Sequence, residues 1–371
     1  MSTASQSALA DFKEQILQAK QQQTILRIAG GQTKNWYGNN LQGSPLLTKS
    51  YQGILDYEPE ELVITVCAGT PLEEVELALN HHHQMLAFEP PHFGSLTTIG
   101  GMIAAGLAGP GRGHYGGIRD FVLGCKIMDG RGDILSFGGK VMKNVAGYDV
   151  SRLLPSSLGT LALLLEVSLK VLPKPVASAT IHVPMNQAKA ITLMNTWASQ
   201  PLPLSASTWQ GDETSGTLTI RLSGAQAAVR SAQAKLLLTP DAKILDPEMA
   251  NQFWLMMREQ TQDFFINHEQ TDLWRFAVNP LSPPLPLPGN QCIEWLGGQR
   301  WFLGQLGAEQ AKQMALAHGG HATLFKSLNK PNTGVFTQLQ DQALTAPLAP
   351  IVQRLRSTFD PDSVFQTGRM P

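Results

Sequence analysis

At 371 residues and 43% hydrophobic composition, the chain can bury a sizeable core, and its length predicts two domains rather than one small stapled scaffold. A net charge of -1 and a sequence pI near 6.8 give no global field to draw it onto nucleic acid or an anionic membrane. Cys67, Cys125 and Cys292 stand far apart with no Cys-x-x-Cys pair, which argues against zinc or an iron–sulfur cluster and predicts no metal site.

The N-terminus lacks the apolar core of a signal peptide, and Asp11 and Glu14 argue against a transit peptide, so a cytoplasmic location is expected. No stretch approaches the roughly 20 consecutive apolar residues of a spanning helix. Any membrane association is therefore expected to be peripheral, at the inner membrane through a partner.

In chain order, Ala8, Phe12, Ile16 and Ala19 share one face of a helix over residues 7–20. A strand over 24–28 then runs into Ala29-Gly30-Gly31-Gln32. A second strand, 62–66, precedes Thr70-Pro71-Leu72-Glu73, read as an N-cap, a proline in the first helical position and a capping-box glutamate. Leu72, Val75 and Leu79 make the buried stripe of that helix, which fades at His81-His82-His83. Between 121 and 137, two β-rich runs flank Asp129-Gly130-Arg131-Gly132-Asp133, a hairpin composition. A long apolar strand over 161–172 is broken by Pro173-Lys174-Pro175, and a domain boundary is placed there.

Beyond the boundary the order is strand (180–183), helix (188–198), strands (204–209 and 217–222) and helix (225–238), half of a split βαβ sandwich. A helix near 249–260, strands near 274–278 and 292–295, and a helix near 308–317 complete a second half. The proline-rich segment 282–288 is expected as a surface connection, because proline removes ladder donors. The tail, 351–371, reads as a short helix ending at Asp360-Pro361.

Three glycine-bearing segments carry the chemistry. Residues 26–34, LRIAGGQTK, end a strand at two glycines, so that several peptide N–H groups can point into one concavity suited to pyrophosphate. The plainer reading is a simple turn. Residues 93–117, FGSLTTIGGMIAAGLAGPGRGHYGG, combine hydroxyls, paired glycines and alanines, which can start a helix whose N–H groups and small side chains face a flat anionic ligand. Tight helix–sheet packing would explain Gly100, Gly101 and Gly106 equally well, but not the polar, glycine-rich loop over 109–117 that follows. Residues 143–173 hold a Gly-Tyr-Asp turn, a loop with Gly159-Thr160, and the long strand.

In order and wording these segments resemble the FAD-binding domain shared by vanillyl-alcohol oxidase, D-lactate dehydrogenase and the flavin subunits of glycolate oxidase. PHFGSLTTIGGMIAAGLAGPGRGHYGGIRDFVLG, GGKVMKNVAGYDVSRLLPSSLGTL and GGHATLF look specifically like the E-subunit family, and the likeness runs from about Thr24 to Met370. It implies an α+β fold: a two-lobed PCMH-type FAD-binding domain over 1–175 (lobes 1–58 and 59–175), a smaller ferredoxin-like cap over 176–325, and a segment over 326–371 returning to the FAD domain. It implies that Ala29, Gly30, Gly31, Gln32, Thr33 and Lys34 hold the pyrophosphate of FAD. Pro91, His92, Thr97, Thr98, Gly100, Gly101, Ala104 and Ala105 would run along the flavin. Gly109, Gly113, His114 and Tyr115 would close over it, and Gly159 and Leu163 would reach the adenine end. Relatives with histidyl-linked flavin often carry the histidine where this chain has Gln32, so noncovalent FAD is expected. Gln366-Thr367 replace a usual Asn-Pro before Gly-Arg, and no site is placed there.

Oxidising a 2-hydroxy acid takes a cation for the carboxylate, a base for the hydroxyl proton and a flavin. The His-x-Gly-Asp-Gly-Asn type segment of catalytic relatives is absent. The nearest catalytic candidates are Arg275 and His321, with His318 and His268 behind them. Arg275 can equally alternate outward on a strand, and His321 can be a hydrogen-bonded structural residue. His81-His82-His83 is read as a solvated cation cluster, because three successive helical residues do not converge on a metal. The resemblance thus implies an FAD subunit of a multi-subunit glycolate oxidase that converts glycolate to glyoxylate and, by extension, oxidises D-lactate. Its partners would be a catalytic flavin subunit and an iron–sulfur subunit. The alternatives are a stand-alone 2-hydroxy-acid dehydrogenase with Arg275 as clamp and His321 as base, and an architectural subunit with an empty flavin pocket. A cell-wall reductase of the same fold is a distant third, lacking a nicotinamide-site signal.

Overall fold

The computed structural model describes residues 3–39, 41–139, 149–266, 271–327 and 349–370. Helix α1 (Thr3–Gln22) buries the stripe of Ala8, Phe12, Ile16 and Ala19. Strand β1 (Leu26–Ala29) pairs in parallel with β2 (Ser44–Leu47). An antiparallel sheet follows, built from β3 (Ile54–Glu58), β4 (Val63–Cys67), β6 (Val122–Met128), β7 (Ile134–Gly138) and β8 (Leu163–Lys170) in the order β3-β4-β8-β6-β7. One face of it packs on α1 through Cys67, Met128, Leu163 and Leu165. The other packs on α2 (Leu72–His81) and α3 (Ile99–Ala105) through Ile64, Val66, Ile127 and Leu164. Short strands β5 (Gln84–Met85) and β9 (Leu172–Pro173) pair beside them.

The second part is an eight-stranded antiparallel sheet. Its strands are β10 (Ala177–Pro184), β11 (Leu204–Gly211), β12 (Gly216–Gly224), β13 (Lys243–Ile244), β14 (Leu273–Ala277), β15 (Gln291–Glu294), β16 (Gln299–Leu303) and β17 (His321–Lys326). The order β13-β10-β12-β11-β15-β16-β14-β17 is two ferredoxin-like halves joined edge to edge at β11 and β15. Helices α6 (Gln187–Ala198), α7 (Gln226–Leu236) and α10 (Ala308–Ala317) cover one face. The opposite face, with Ala206, Cys292, Trp301 and Phe325, packs on α8 (Pro247–Glu259), on α9 (Asp263–Ile266) and on Tyr37, Ala105, Leu107 and Leu158 from the first part. The seam between the two parts therefore lies on the side of this sheet away from α6, α7 and α10.

The tail returns to the start. After α11 (Ala349–Phe359), Leu26 N donates to Val364 O (2.8 Å) and Asn39 N to Arg369 O (3.1 Å).

Four expectations need correction. Thr70 does not cap α2: its buried hydroxyl donates to Cys67 O (2.7 Å) and accepts from Gly53 N (2.8 Å), and Pro71 occupies the cap position with no side-chain bond. Residues 109–117 are not a loop throughout, because α4 (Arg112–Tyr115) makes a single turn there, and α5 (Ile118–Phe121) makes another directly after it. The proline-rich segment stands where the second half would have its first helix, and it buries Leu285 and Leu287 in the core rather than lying wholly on the surface. Its prolines spare the ladder, but its leucines still gain by leaving water. Strand β16 was missed because Gly297 and Gly298, which turn the chain back, hide a hairpin inside what reads as one loop.

Candidate functional site: a cleft in the first part

A cleft opens beside the end of β1, enclosing about 790 Å³ when the space open to solvent is included. Gly30 and Gly31 press directly against the loop before α3. A Cβ on Gly30 would stand 2.3 Å from Thr98 Oγ1, and one on Gly31 would stand 1.6 Å from Leu96 O. Glycine is required here for close approach, which brings the first two glycine segments into one wall. Gln32 follows at φ +60, and the amides of Gly30, Gly31, Gln32 and Thr33 donate to no group among the described residues. Buried or half-buried donors left open in a concave turn form an anion nest.

Helix α3 contributes differently from expectation. Its first-turn amides are consumed by the protein: Ile99 N donates to Thr70 O (2.9 Å), Gly100 N to Ala68 O (2.7 Å) and Gly101 N to the Thr98 hydroxyl (3.2 Å). Gly100, Gly101, Ala104 and Ala105 therefore offer a bare, flat backbone wall to the cleft and not a second set of donors. This corrects the reading of α3 as a phosphate-binding helix end.

Lys34 lines the same cleft, but its ammonium turns inward to His92 O (2.9 Å) and Thr97 Oγ1 (3.2 Å). Thr97 in turn bonds Thr33 Oγ1 (2.6 Å) and His92 O. Burial holds Lys34 down to about 8, against an upward pull from Glu259. Arg369 brings a second cation to the cleft wall, tied to Tyr37 O (2.8 Å) and Lys34 O (2.5 Å), and lowered to about 10 chiefly by burial. It stays charged at neutral pH and complements an anion beside the open amides.

The remaining expected residues divide. Ala29, Thr97, Thr98 and Gly159 line the cleft. Leu163 does not: it lies fully buried under α1, and Leu164 reaches the cleft instead, since consecutive strand residues face opposite ways. His92 points away, pairing with Glu76 through Nε2 (2.9 Å) while its amide donates to Glu259 (3.0 Å). His114 does not close over the cleft; its Nε2 is buried without a partner and burial lowers the ring to about 4. Tyr115 lines a separate outer groove with Glu89 and Arg221. Gly113 packs against Trp295, where a Cβ would meet Trp295 Cα at 2.8 Å.

Through Ala105 and Leu158 the cleft shares walls with a second cavity, of about 930 Å³, between α3 and the eight-stranded sheet. Arg275 and His321, the two catalytic candidates, both line it, together with Arg112. A third cavity of about 390 Å³ shares Arg112, Arg275, Trp295 and Gln299, and adds Pro91, Gly109 and Glu294. The Arg275 guanidinium donates to Tyr37 Oη (3.2 Å) and lies 5.2 Å from the Phe325 ring centre. Arg112 lies 4.6 Å from the Trp295 ring centre. Burial, then Arg275, lower Arg112, and the same two causes lower His321. Two cations destabilising each other in one chamber are relieved by an anion between them. His318 is elsewhere, its Nδ1 at 2.8 Å from Met314 O in α10, and His268 lies outside the described residues.

Sequence reasoning missed Arg112, Glu294 and Arg369. Arg112 carried a visible signal, a lone cation inside Gly-Pro-Gly-Arg-Gly; Glu294 carried none, because an isolated acid at a strand end is unremarkable until its burial is known.

A family model described as "FAD binding domain" matches residues 8–138. The chain is 41% identical over 357 residues to glycolate oxidase subunit GlcE of Escherichia coli K12, covering 96% of this chain and 95% of that protein. It belongs to the glycolate oxidase GlcE family. This GlcE-family chain is also similar to glycolate oxidase subunit GlcD of Bacillus subtilis, 37% identical over 38% of this chain and 29% of that protein. Likewise it is 31% identical to a D-lactate dehydrogenase of Anaerostipes hadrus, over 35% of this chain and 27% of that protein. A solved alkyldihydroxyacetonephosphate synthase shares the fold, with a TM-score of 0.65 at 14% identity over 95% of this chain and 73% of that one. The GlcE-family chain is thus an FAD-dependent oxidoreductase subunit of α+β fold, as the resemblance implied, and its cofactor is FAD. The residues present fit that group: open amides and Arg369 for a diphosphate, a flat glycine and alanine wall for a planar ring system. Among the described residues no helix is long and apolar enough to cross a membrane, and no group of three or more metal-ligating side chains exists.

Proposed function

We propose that the chain is the FAD-binding subunit of a multi-subunit glycolate oxidase, in which glycolate, and by extension D-lactate, is oxidised and the electrons leave through an iron–sulfur partner. A catalytic flavin subunit is its other partner, and any membrane contact runs through the assembly at the inner membrane. The division into an FAD domain (1–175), a cap (176–325) and a returning segment (326–371) is part of this reading. The carrying observation is the run of walls from the open amides of residues 30–33, past Ala105, to the chamber of Arg112 and Arg275.

The amides of Gly30, Gly31, Gln32 and Thr33, with Arg369, would hold the diphosphate. Gly100, Gly101, Ala104 and Ala105 would lie along the ring system, with Gly159 and Leu164 toward the adenine. When bound, FAD supplies the two-electron acceptor that no side chain here provides. Arg112 and Arg275 would clamp a small carboxylate, each charge-assisted bond being about twice as strong as a neutral one. Trp295, Trp301 and Phe325, which wall the chamber, exclude water and strengthen that attraction.

Because the chamber is built entirely by this chain, a second reading has support: the chain oxidises its own 2-hydroxy acid, with Arg275 as clamp and His321 as base. The anaerobic absorption spectrum of the purified chain decides between them. Near-stoichiometric FAD whose oxidised band bleaches on adding glycolate or D-lactate establishes direct turnover. A band that stays unchanged, and bleaches only with the partner subunits present, establishes the subordinate role. A colourless chain that takes up no FAD overturns both.

A further inference from the structure

The mechanism above leaves one buried titratable group without a task. Glu294 ends β15 and is 4% exposed, on the face of the eight-stranded sheet turned to the first part, in the chamber that holds Arg112 and Arg275. Two fixed donors meet it, Trp301 Nε1 (2.6 Å) and Gln299 Nε2 (3.0 Å), and both go to Oε2. Oε1 has no donor among the described residues, and no cation there lies within ion-pair distance of the carboxylate. A structural buried carboxylate normally has all its lone pairs engaged or a cation against it. This one is held by one oxygen and left open at the other.

Resting on the reading of the chamber as a 2-hydroxy-acid site, we propose that Glu294 is its proton-holding residue. As a carboxylate, Oε1 accepts from the hydroxyl of a bound 2-hydroxy acid; as a carboxylic acid, it donates to the carbonyl of the corresponding 2-oxo acid. Arg112 and Arg275 hold the carboxylate of either ligand. The hydroxy acid can donate through its hydroxyl, whereas the carbonyl of the oxo acid can only accept, so a group that bonds the oxo acid must itself carry a proton.

The surroundings favour a group poised between the two forms. Burial pushes Glu294 up to about 7, the Trp301 and Gln299 bonds pull it down, and Glu89 on the first part adds a further upward push. Arg112, Arg258 and Arg275 face the chamber from α4, α8 and β14, and Cys292, two residues back on β15, is a buried thiol pushed above its usual range. His321 lines the adjoining cavity from β17 and is lowered from its usual value by burial and then by Arg275, so the proton that the exchange needs is assigned to Glu294.

The test uses pyruvate, a 2-oxo acid with no donor on its second carbon and no hydride there to give to oxidised FAD, titrated into the purified FAD-bearing chain by calorimetry from pH 5 to 9. Binding needs protonated Glu294, so affinity falls above pH 7 by nearly tenfold per unit, about a hundredfold in all by pH 9. Near pH 8, buffers of different ionisation heat report about one proton taken up per pyruvate bound. Glu294→Gln, whose amide donates at every pH, binds pyruvate with a flat profile and no proton uptake. A flat profile without proton uptake in the unmodified protein, or an unchanged slope in Glu294→Gln, overturns the role of Glu294 while the chamber stands. Absence of pyruvate, glycolate and D-lactate binding at every pH overturns the chamber reading and this inference with it.

Discussion

Gly31 and Leu96 touch backbone to backbone: the direction in which a side chain would leave Gly31 is filled by the Leu96 carbonyl, 1.6 Å from an ideal Cβ. Gly31→Ala must therefore part the loop after β1 from the loop before α3, which spreads the open amides. The expected outcome is a severalfold lower ratio of FAD to protein and a stability loss of about 1–3 kcal/mol, typical of overpacking. Released flavin and a urea titration measure the two. Gly139→Ala, with nothing within 4 Å of its Cβ, serves as the neutral control.

Leu163 and Leu164 are adjacent on β8 and do opposite jobs. Leu163→Ala, in the core under α1, is expected to cost about 2–5 kcal/mol while the folded fraction keeps its FAD. Leu164→Phe projects bulk into the cleft and should lower the FAD content of chain that still folds. Equal effects of the two on flavin content would contradict the placement of the adenine end.

Arg112→Met and Arg275→Met each remove one arm of the chamber at similar side-chain length. A lost charge-assisted bond is worth about 1.5–3 kcal/mol, so glycolate should bind on the order of ten- to a hundredfold more weakly, with FAD content unchanged. Perturbation of the flavin spectrum by added acid gives the affinity directly.

Glu294 also sets a stability profile. Its folded-state value, about 7, lies above the ordinary carboxyl value of 4.5, so the folded chain binds more protons between those limits. Its contribution is present below pH 4.5, is lost as pH rises to 7, and stays lost above. Glu294→Gln should thus leave the melting temperature near the parent's at pH 5 and raise it at pH 8, by up to about 3 kcal/mol equivalent. A melting temperature raised equally at both pH values would show that Glu294 does not titrate in this range.

The residues that announce this fold are those whose type forces a backbone geometry. Gly30-Gly31 after a strand, the capped α3 segment, and the β-α-β-β-α run over 177–236 were legible because glycine contacts, hydroxyl caps and apolar periodicity act locally. What escaped were relations set by distant partners. The α3 amides were spent on Thr70 and Ala68, some thirty positions back, which nothing near Gly100 reveals. His114 and Tyr115 looked like lid residues, yet their short turn is wedged against Trp295 and Arg112 is the member that reaches the chamber. Leu163 was displaced by one position, and in a strand one position is the whole difference between core and cleft.

Arg369 clasps the carbonyls of Lys34 and Tyr37 across 335 and 332 positions of sequence. The turn that would receive a diphosphate is therefore made long before the segment that backs it. Residues 364–369 can lie down beside β1 only once everything between them has left the ribosome, so this clasp is a contact of the finished fold and not of the nascent first sheet.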